Sequence, residues 1–251
     1  MKGGLVMRIN RFVLDFDLSI ADTFTPSPSG IGVNEATQMA IKSVFGNAGL
    51  KVFKKIGGLN NRAPIELISL MIDAEPLLTR RSVKAVTNLF VAEKLKVLTK
   101  EITNKWPLPC GNVLNYFKRL KEWEVPYAIL SSGHGPFIRR VFEVWDEKDL
   151  CPQMLITDDE LRNSSLPLNR RSKPHKEVFE YLWEAWSHQD PKILTADKSR
   201  VAYIGDDPGK DGWLAKNAGV NFIWYNPRQE SLPAGAPIPD VVIKTFNELS
   251  P

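Results

Sequence analysis

The chain has 251 residues, with 33 Lys plus Arg against 29 Asp plus Glu and a formal charge of +4. Its 43% apolar and 25% charged content excludes disordered, collagen-like and fibrous classes. The basic surplus is thin and its Arg-Arg pairs (Arg80-Arg81, Arg139-Arg140, Arg170-Arg171) are scattered, so no nucleic-acid partner is expected.

Short apolar runs predict strands at Phe12–Leu14, Tyr127–Leu130, Met154–Ile156, Val201–Ile204, Phe222–Trp224 and Val241–Ile243. Continuous rather than alternating runs are what strands buried on both faces of a parallel sheet require. Helical spacing lies between them: Ile138, Val141, Phe142 and Trp145 behind Pro136, then Phe179, Leu182, Trp183 and Trp186. From about residue 110 onward, strand and helix alternate, which predicts a doubly wound α/β fold with a parallel sheet.

Residues 24–106 break the alternation. Ala36, Met39, Ala40 and Val44 mark a helix expected to stop at Gly46 and Gly49. Pro64 opens a second, and Thr79 or Ser82 caps a third. Pro/Gly punctuation brackets the block on both sides, at 25–30 and 106–111. The expected organisation is an α/β core formed by 1–23 and 107–251, with an inserted helical domain over 24–106. Two cysteines, Cys110 and Cys151, stand far apart, which excludes a disulfide scaffold and a Cys-based zinc site and fits a reducing compartment. No apolar run nears the ~18 residues of a membrane span. The opening MKGGLVMRINRFVLDFD has no continuous apolar stretch of secretory type, so a cytoplasmic protein without a membrane partner is expected.

Two acidic clusters follow predicted strands. Asp15 and Asp17 project to one side at the carboxyl end of the first, where open α/β sheets place their sites. Asp206, Asp207 and Asp211 follow the strand ending in Ile204 and Gly205. Carboxylates so crowded repel unless a cation intervenes, and Mg²⁺ takes one or two carboxylates together with water and phosphate. A parallel sheet brings the two strand ends together, so both clusters can share one metal. Ser131 and Ser132 end the strand at Leu130 with hydroxyls and N–H groups suited to an anion, and Lys173 precedes the helix containing Phe179. Hydroxyl, ammonium and two acidic clusters together form a phosphate site with its metal.

These segments resemble the haloacid dehalogenase superfamily of phosphotransferases. Asp15-Phe-Asp-Leu-Ser-Ile-Ala-Asp-Thr23 is similar to its first motif, Ile129-Leu-Ser-Ser132 to the second, Lys173-Pro-His-Lys-Glu-Val-Phe179 to the third, and Gly205-Asp-Asp-Pro-Gly-Lys-Asp211 to the fourth. The helical block is similar to the cap of phosphoglycolate phosphatase-like and β-phosphoglucomutase-like members. Leu18 stands where Gly is commonest, Ser19 replaces Thr, and the link over 160–172 into Lys173 is longer than usual.

The resemblance implies a Mg²⁺-dependent phosphatase acting on a small phosphorylated metabolite. Asp15 would be the nucleophile and Asp17 the general acid and base. Ser131, Ser132 and Lys173 would hold the phosphoryl group. Asp15, the Asp17 carbonyl and Asp206 would ligate the metal, with Asp207 or Asp211 as ligand or outer shell. Arg62, behind Gly57 and Gly58 in the helical block, is the candidate for substrate selection. The alternatives are a phosphomutase on the same scaffold or a non-catalytic binding protein. All of Asp15, Asp17, Lys173 and Asp206 are present, which opposes the latter.

Overall fold

A computed structural model of the chain describes residues 9–60, 62–103 and 105–250. Residues 1–8 of the N-terminal segment read above for a secretory signal therefore lie outside the described residues, as does Asn61 within the Gly57–Arg62 segment. The chain divides into two units. The first holds Met1–Ala21, Pro109–Ser131 and Asp149–Pro251; the second holds Asp22–Leu108 and Ser132–Lys148. Among the described residues, no helix is long and apolar enough to cross a membrane.

Strands β1 (Arg11–Leu14), β2 (Ala21–Asp22), β3 (Leu108–Pro109), β4 (Tyr127–Leu130), β5 (Leu155–Ile156), β6 (Val201–Gly205), β7 (Asn221–Tyr225) and β8 (Val241–Ile243) follow in chain order. Six of them form one parallel sheet in the order β5-β4-β1-β6-β7-β8, while β2 pairs with β3. The chain thus builds outward from β1 to one side, then returns and builds to the other. The reversal occurs at β1, the position where doubly wound sheets open a crevice for ligands.

The helices are α1 (Val33–Lys55), α2 (Pro64–Ala74), α3 (Val83–Glu101), α4 (Val113–Glu122), α5 (Gly135–Val144), α6 (Asp158–Asn163), α7 (Lys176–Gln189) and α8 (Trp213–Ala218). In the first unit, alternate residues of the sheet serve opposite faces. Val13, Leu130 and Tyr203 pack with Val178, Phe179, Leu182 and Trp186 of α7 and Leu214 of α8. Phe12 takes the other face, edge-on to Tyr116 of α4 at 5.6 Å between ring centres. Burying one such aromatic side chain contributes about 1.5–3 kcal/mol.

In the second unit, Pro64 opens α2 as expected, and Ser82 caps α3 by accepting from Ala85 N. The expected stop at Gly46 is met as a break between two helical segments of α1, with the second following at once. Gly46 adopts φ 65°, ψ −159° and kinks the helix, which resumes and runs to Lys55. The continuation buries Val52 and Phe53, and that burial outweighs the helix-breaking tendency of two glycines. Gly49 is helical and lies where a side chain would collide with Phe45, so its role is close packing rather than termination.

Candidate active site

The register of the sheet assembles the site. Leu14 pairs with Ile129 on one side and Ile204 on the other. Asp15 is the first residue after β1, and its N–H donates to Ile204 O at 2.9 Å. Ser131 and Asp206 therefore emerge on either side of Asp15 at the same edge of the sheet.

Lys173 reaches this edge from the link before α7. That link is ordered by arginines: Arg162 pairs with Asp158 and, at 2.8 Å, with Asp159, while Arg171 donates to Leu166 O and Arg162 O, both at 2.7 Å. The Lys173 Nζ lies 2.9 Å from Asp15 Oδ1 and 2.7 Å from Asp211 Oδ1, and donates to the Tyr203 hydroxyl at 3.2 Å. Tyr203 in turn donates to Leu130 O at 3.0 Å, tying the ammonium to the strand end that leads into Ser131. Lys173 is 5% exposed and Asp211 fully buried. Burial works against the Lys173 charge, but the Asp15 and Asp211 carboxylates outweigh it and hold its pKa well above the ordinary lysine value.

Asp206 follows Gly205. Its carboxylate accepts from Ser19 Oγ at 3.4 Å, and its carbonyl from Trp224 Nε1 at 2.9 Å. Burial, then repulsion from Asp211 and Asp15, pushes its pKa up to about 8. Burial also raises Asp211, to about 7, against the pull of Lys173. Carboxylate oxygens of Asp15, Asp206 and Asp211 all lie within 4.8 Å of one another. One ammonium faces three acids. The buried Asp15 Oδ1 has charge contact with Lys173 but no directed hydrogen bond. This oxygen-only donor set fits a hard divalent cation such as Mg²⁺, with Asp15 and Asp206 as the open donors. Both Asp211 oxygens are engaged, Oδ1 by Lys173 and Oδ2 by Asp207 N at 3.1 Å, so Asp211 suits an outer position.

The other expected residues are placed as follows. Asp17 is half-buried in the turn Asp17–Ala21, where Leu18 takes a left-handed φ of 59°. Asp207 caps the wide helical turn Pro208–Gly212, its Oδ1 accepting from Gly209 N and Lys210 N. Ser131 is 1% exposed, whereas Ser132 begins a segment of the second unit. Arg62 also lies in the second unit, and its NH1 donates to Ile56 O and Gly58 O at 3.0 and 2.9 Å, bracing the turn after α1. Sequence reasoning missed Tyr203. A tyrosine in an otherwise apolar strand reads as core, although its hydroxyl demands a buried partner and is the signal that could have found it.

Residues 12–225 match the family model described as haloacid dehalogenase-like hydrolase. The chain belongs to this hydrolase family. Three solved structures share its fold. A haloacid dehalogenase-like hydrolase from Bacteroides fragilis is 19% identical with a TM-score of 0.61, covering 96% of this chain and 99% of that one. A predicted phosphoglycolate phosphatase from Haemophilus somnus is 16% identical, TM-score 0.59, covering 97% of each. A 2-haloacid dehalogenase from Pseudomonas syringae is 17% identical, TM-score 0.55, covering 96% of each. None of the curated proteins is significantly similar in sequence.

Proposed function

We propose that this hydrolase is a Mg²⁺-dependent phosphatase of a small phosphorylated metabolite, working in the cytoplasm through an aspartyl-phosphate on Asp15. The observation that carries the reading is the buried Lys173 joining Asp15 to Asp211 beside a third carboxylate, Asp206. Displacing halide from an alkyl carbon calls for no such cation site and no proton donor. An alkoxide leaving phosphorus calls for both.

Lys173, by holding Asp15 Oδ1, orients the carboxylate for attack on phosphorus and adds positive charge where the phosphoryl oxygens gather. Asp17 protonates the departing ester oxygen, then takes a proton from the water that attacks the aspartyl-phosphate. Inorganic phosphate leaves, and Asp15 is restored. Such acid–base help is typically worth ~10² to 10⁴-fold. Ser131 supports the phosphoryl oxygens from the end of β4. Mg²⁺, held by Asp15, Asp206 and the Asp17 carbonyl, would supply the charge that lets an anionic nucleophile approach a dianionic phosphate.

The test is phosphate release from a metabolite panel with Mg²⁺, beside halide release from 2-chloropropionate. Phosphate release that disappears in Asp15→Asn and with EDTA is expected. Halide release, or full activity without metal, would overturn the proposal.

A further inference from the structure

The turn after β7 builds a cleft of about 200 Å³ that has Asp206 in its wall, together with Leu18, Trp224 and Arg228. A cavity of about 150 Å³ holds benzene, so this one takes a six-membered ring with a substituent. It joins the acid cluster through two links: Asp206 belongs to both, and Trp224 Nε1 donates to the Asp206 carbonyl.

Two features show that the cleft is built. Leu18 lines it while holding φ 59°, a backbone region that costs a non-glycine residue about 1–2 kcal/mol. Strain of this kind persists only where the surrounding structure holds it, and here the Leu18 N–H is fixed to Ala21 O at 2.8 Å, which sets Leu18 in the cleft wall. On the opposite side, Asn226 closes the turn that carries Arg228. Its Nδ2 donates to Glu230 O and its Oδ1 accepts from Glu230 N, both at 2.9 Å, and its own N–H donates to Ile243 O at 2.7 Å. Asn226 is 7% exposed, so the turn is fixed from within. The Arg228 NH1 lies 3.9 Å from Glu230 Oε1, beyond hydrogen-bond length.

We propose that this cleft receives the leaving group of the substrate, and that the leaving group is an alcohol carrying a ring-sized apolar segment and a distal carboxylate. The apolar segment packs on Leu18 and Trp224, and the carboxylate meets the planar fork of Arg228. Glu230 beside Arg228 and Asp206 at the inner wall favour a singly charged carboxylate over a second, doubly charged phosphate. The assignment rests on the phosphatase reading for where the phosphoryl group sits. It gives the first unit its own part in specificity.

Two non-hydrolysable probes test it on the intact protein with Mg²⁺: benzylphosphonate and 4-carboxybenzylphosphonate, titrated by calorimetry. The carboxylated probe should bind about tenfold more tightly, Arg228→Ala should erase that preference, and Arg228→Lys should keep part of it. Equal binding of the two probes, binding of neither, or a preference that survives Arg228→Ala would overturn the assignment. So would tighter binding of 4-phosphonobenzylphosphonate than of the carboxylated probe. Phosphate release from phenyl phosphate by the unaltered protein reports on the phosphatase reading separately.

Discussion

Gly205 ends β6 one residue before Asp206, and its lack of a side chain is what admits Asp211. A methyl group there would meet Asp211 Oδ2 and Cγ and lie 2.6 Å from its Cβ. Asp211 has no room to withdraw, being fully buried with Oδ1 on Lys173 Nζ and Oδ2 on Asp207 N. Gly205→Ala must therefore displace it. Overpacking costs about 1–3 kcal/mol, and each bond to a charged group is worth about 1.5–3 kcal/mol. With those bonds partly lost, destabilisation should be about 3–5 kcal/mol. For a chain of this length each kcal/mol shifts Tm by roughly 2–4 °C, so a fall of about 10 °C is expected in calorimetry. Because Lys173 loses its best partner, kcat for phosphate release should drop at least about tenfold. In an Asp211→Gly background the added methyl should cost far less, since the atoms it strikes are gone. Wild-type stability within about 0.5 kcal/mol and unchanged kcat would refute the wedge argument.

Metal-free protein should lose stability as pH rises from about 4 to about 8. Asp206 and Asp211 are raised to about 8 and 7 from an ordinary 3.8, so across that window the folded chain keeps protons that the unfolded chain has released. Mg²⁺ held by these acids would take the place of those protons, and its stabilisation should grow over the same range; a pH-independent Tm without metal would contradict this. Tyr203→Phe leaves Leu130 O without its donor and frees Lys173 on one side, so stability should fall by about 1–3 kcal/mol and kcat should fall more than KM rises. Wild-type kinetics would remove Tyr203 from the positioning of Lys173. Arg62→Ala should loosen the turn at Ile56 and Gly58 and, if Arg62 also selects substrate, cut kcat/KM for the best metabolite about tenfold while sparing a small aryl phosphate. Equal losses on both substrates would leave Arg62 a purely structural brace.

The sheet was legible because its strands are short continuous apolar runs, most of them buried on both faces, although Val242 on the edge strand β8 is exposed. Tyr127–Leu130 and Val241–Ile243 match the apolar runs residue for residue, β1, β5 and β6 differ by one residue at one end, and β7 by one at each end. The acids and the lysine were legible because each sits beside a strand or helix end that topology must bring together. What escaped depends on three-dimensional neighbours. That a second helical segment follows the break at Gly46 is not legible until the burial of Val52 and Phe53 is known. Gly205 reads as a motif letter until Asp211 is seen against it. The strained backbone of Leu18 and the bracing role of Arg62 arise from turns whose geometry no periodicity encodes.

The central place of β1 also governs the order in which the molecule can be made. It is made before every other strand of its sheet, yet its two partners begin only at Tyr127 and Val201. Until then an apolar segment with both edges unpaired waits in a growing chain, and open edges of this kind invite pairing with other chains. The second unit is complete by Lys148 and can fold during that interval, whereas Asp15 acquires Lys173 and Asp206 only once β6 has been made. Nascent chains released before β6 should therefore be the aggregation-prone species. Co-translational chaperones would be needed for the first strand rather than for the helices that follow it.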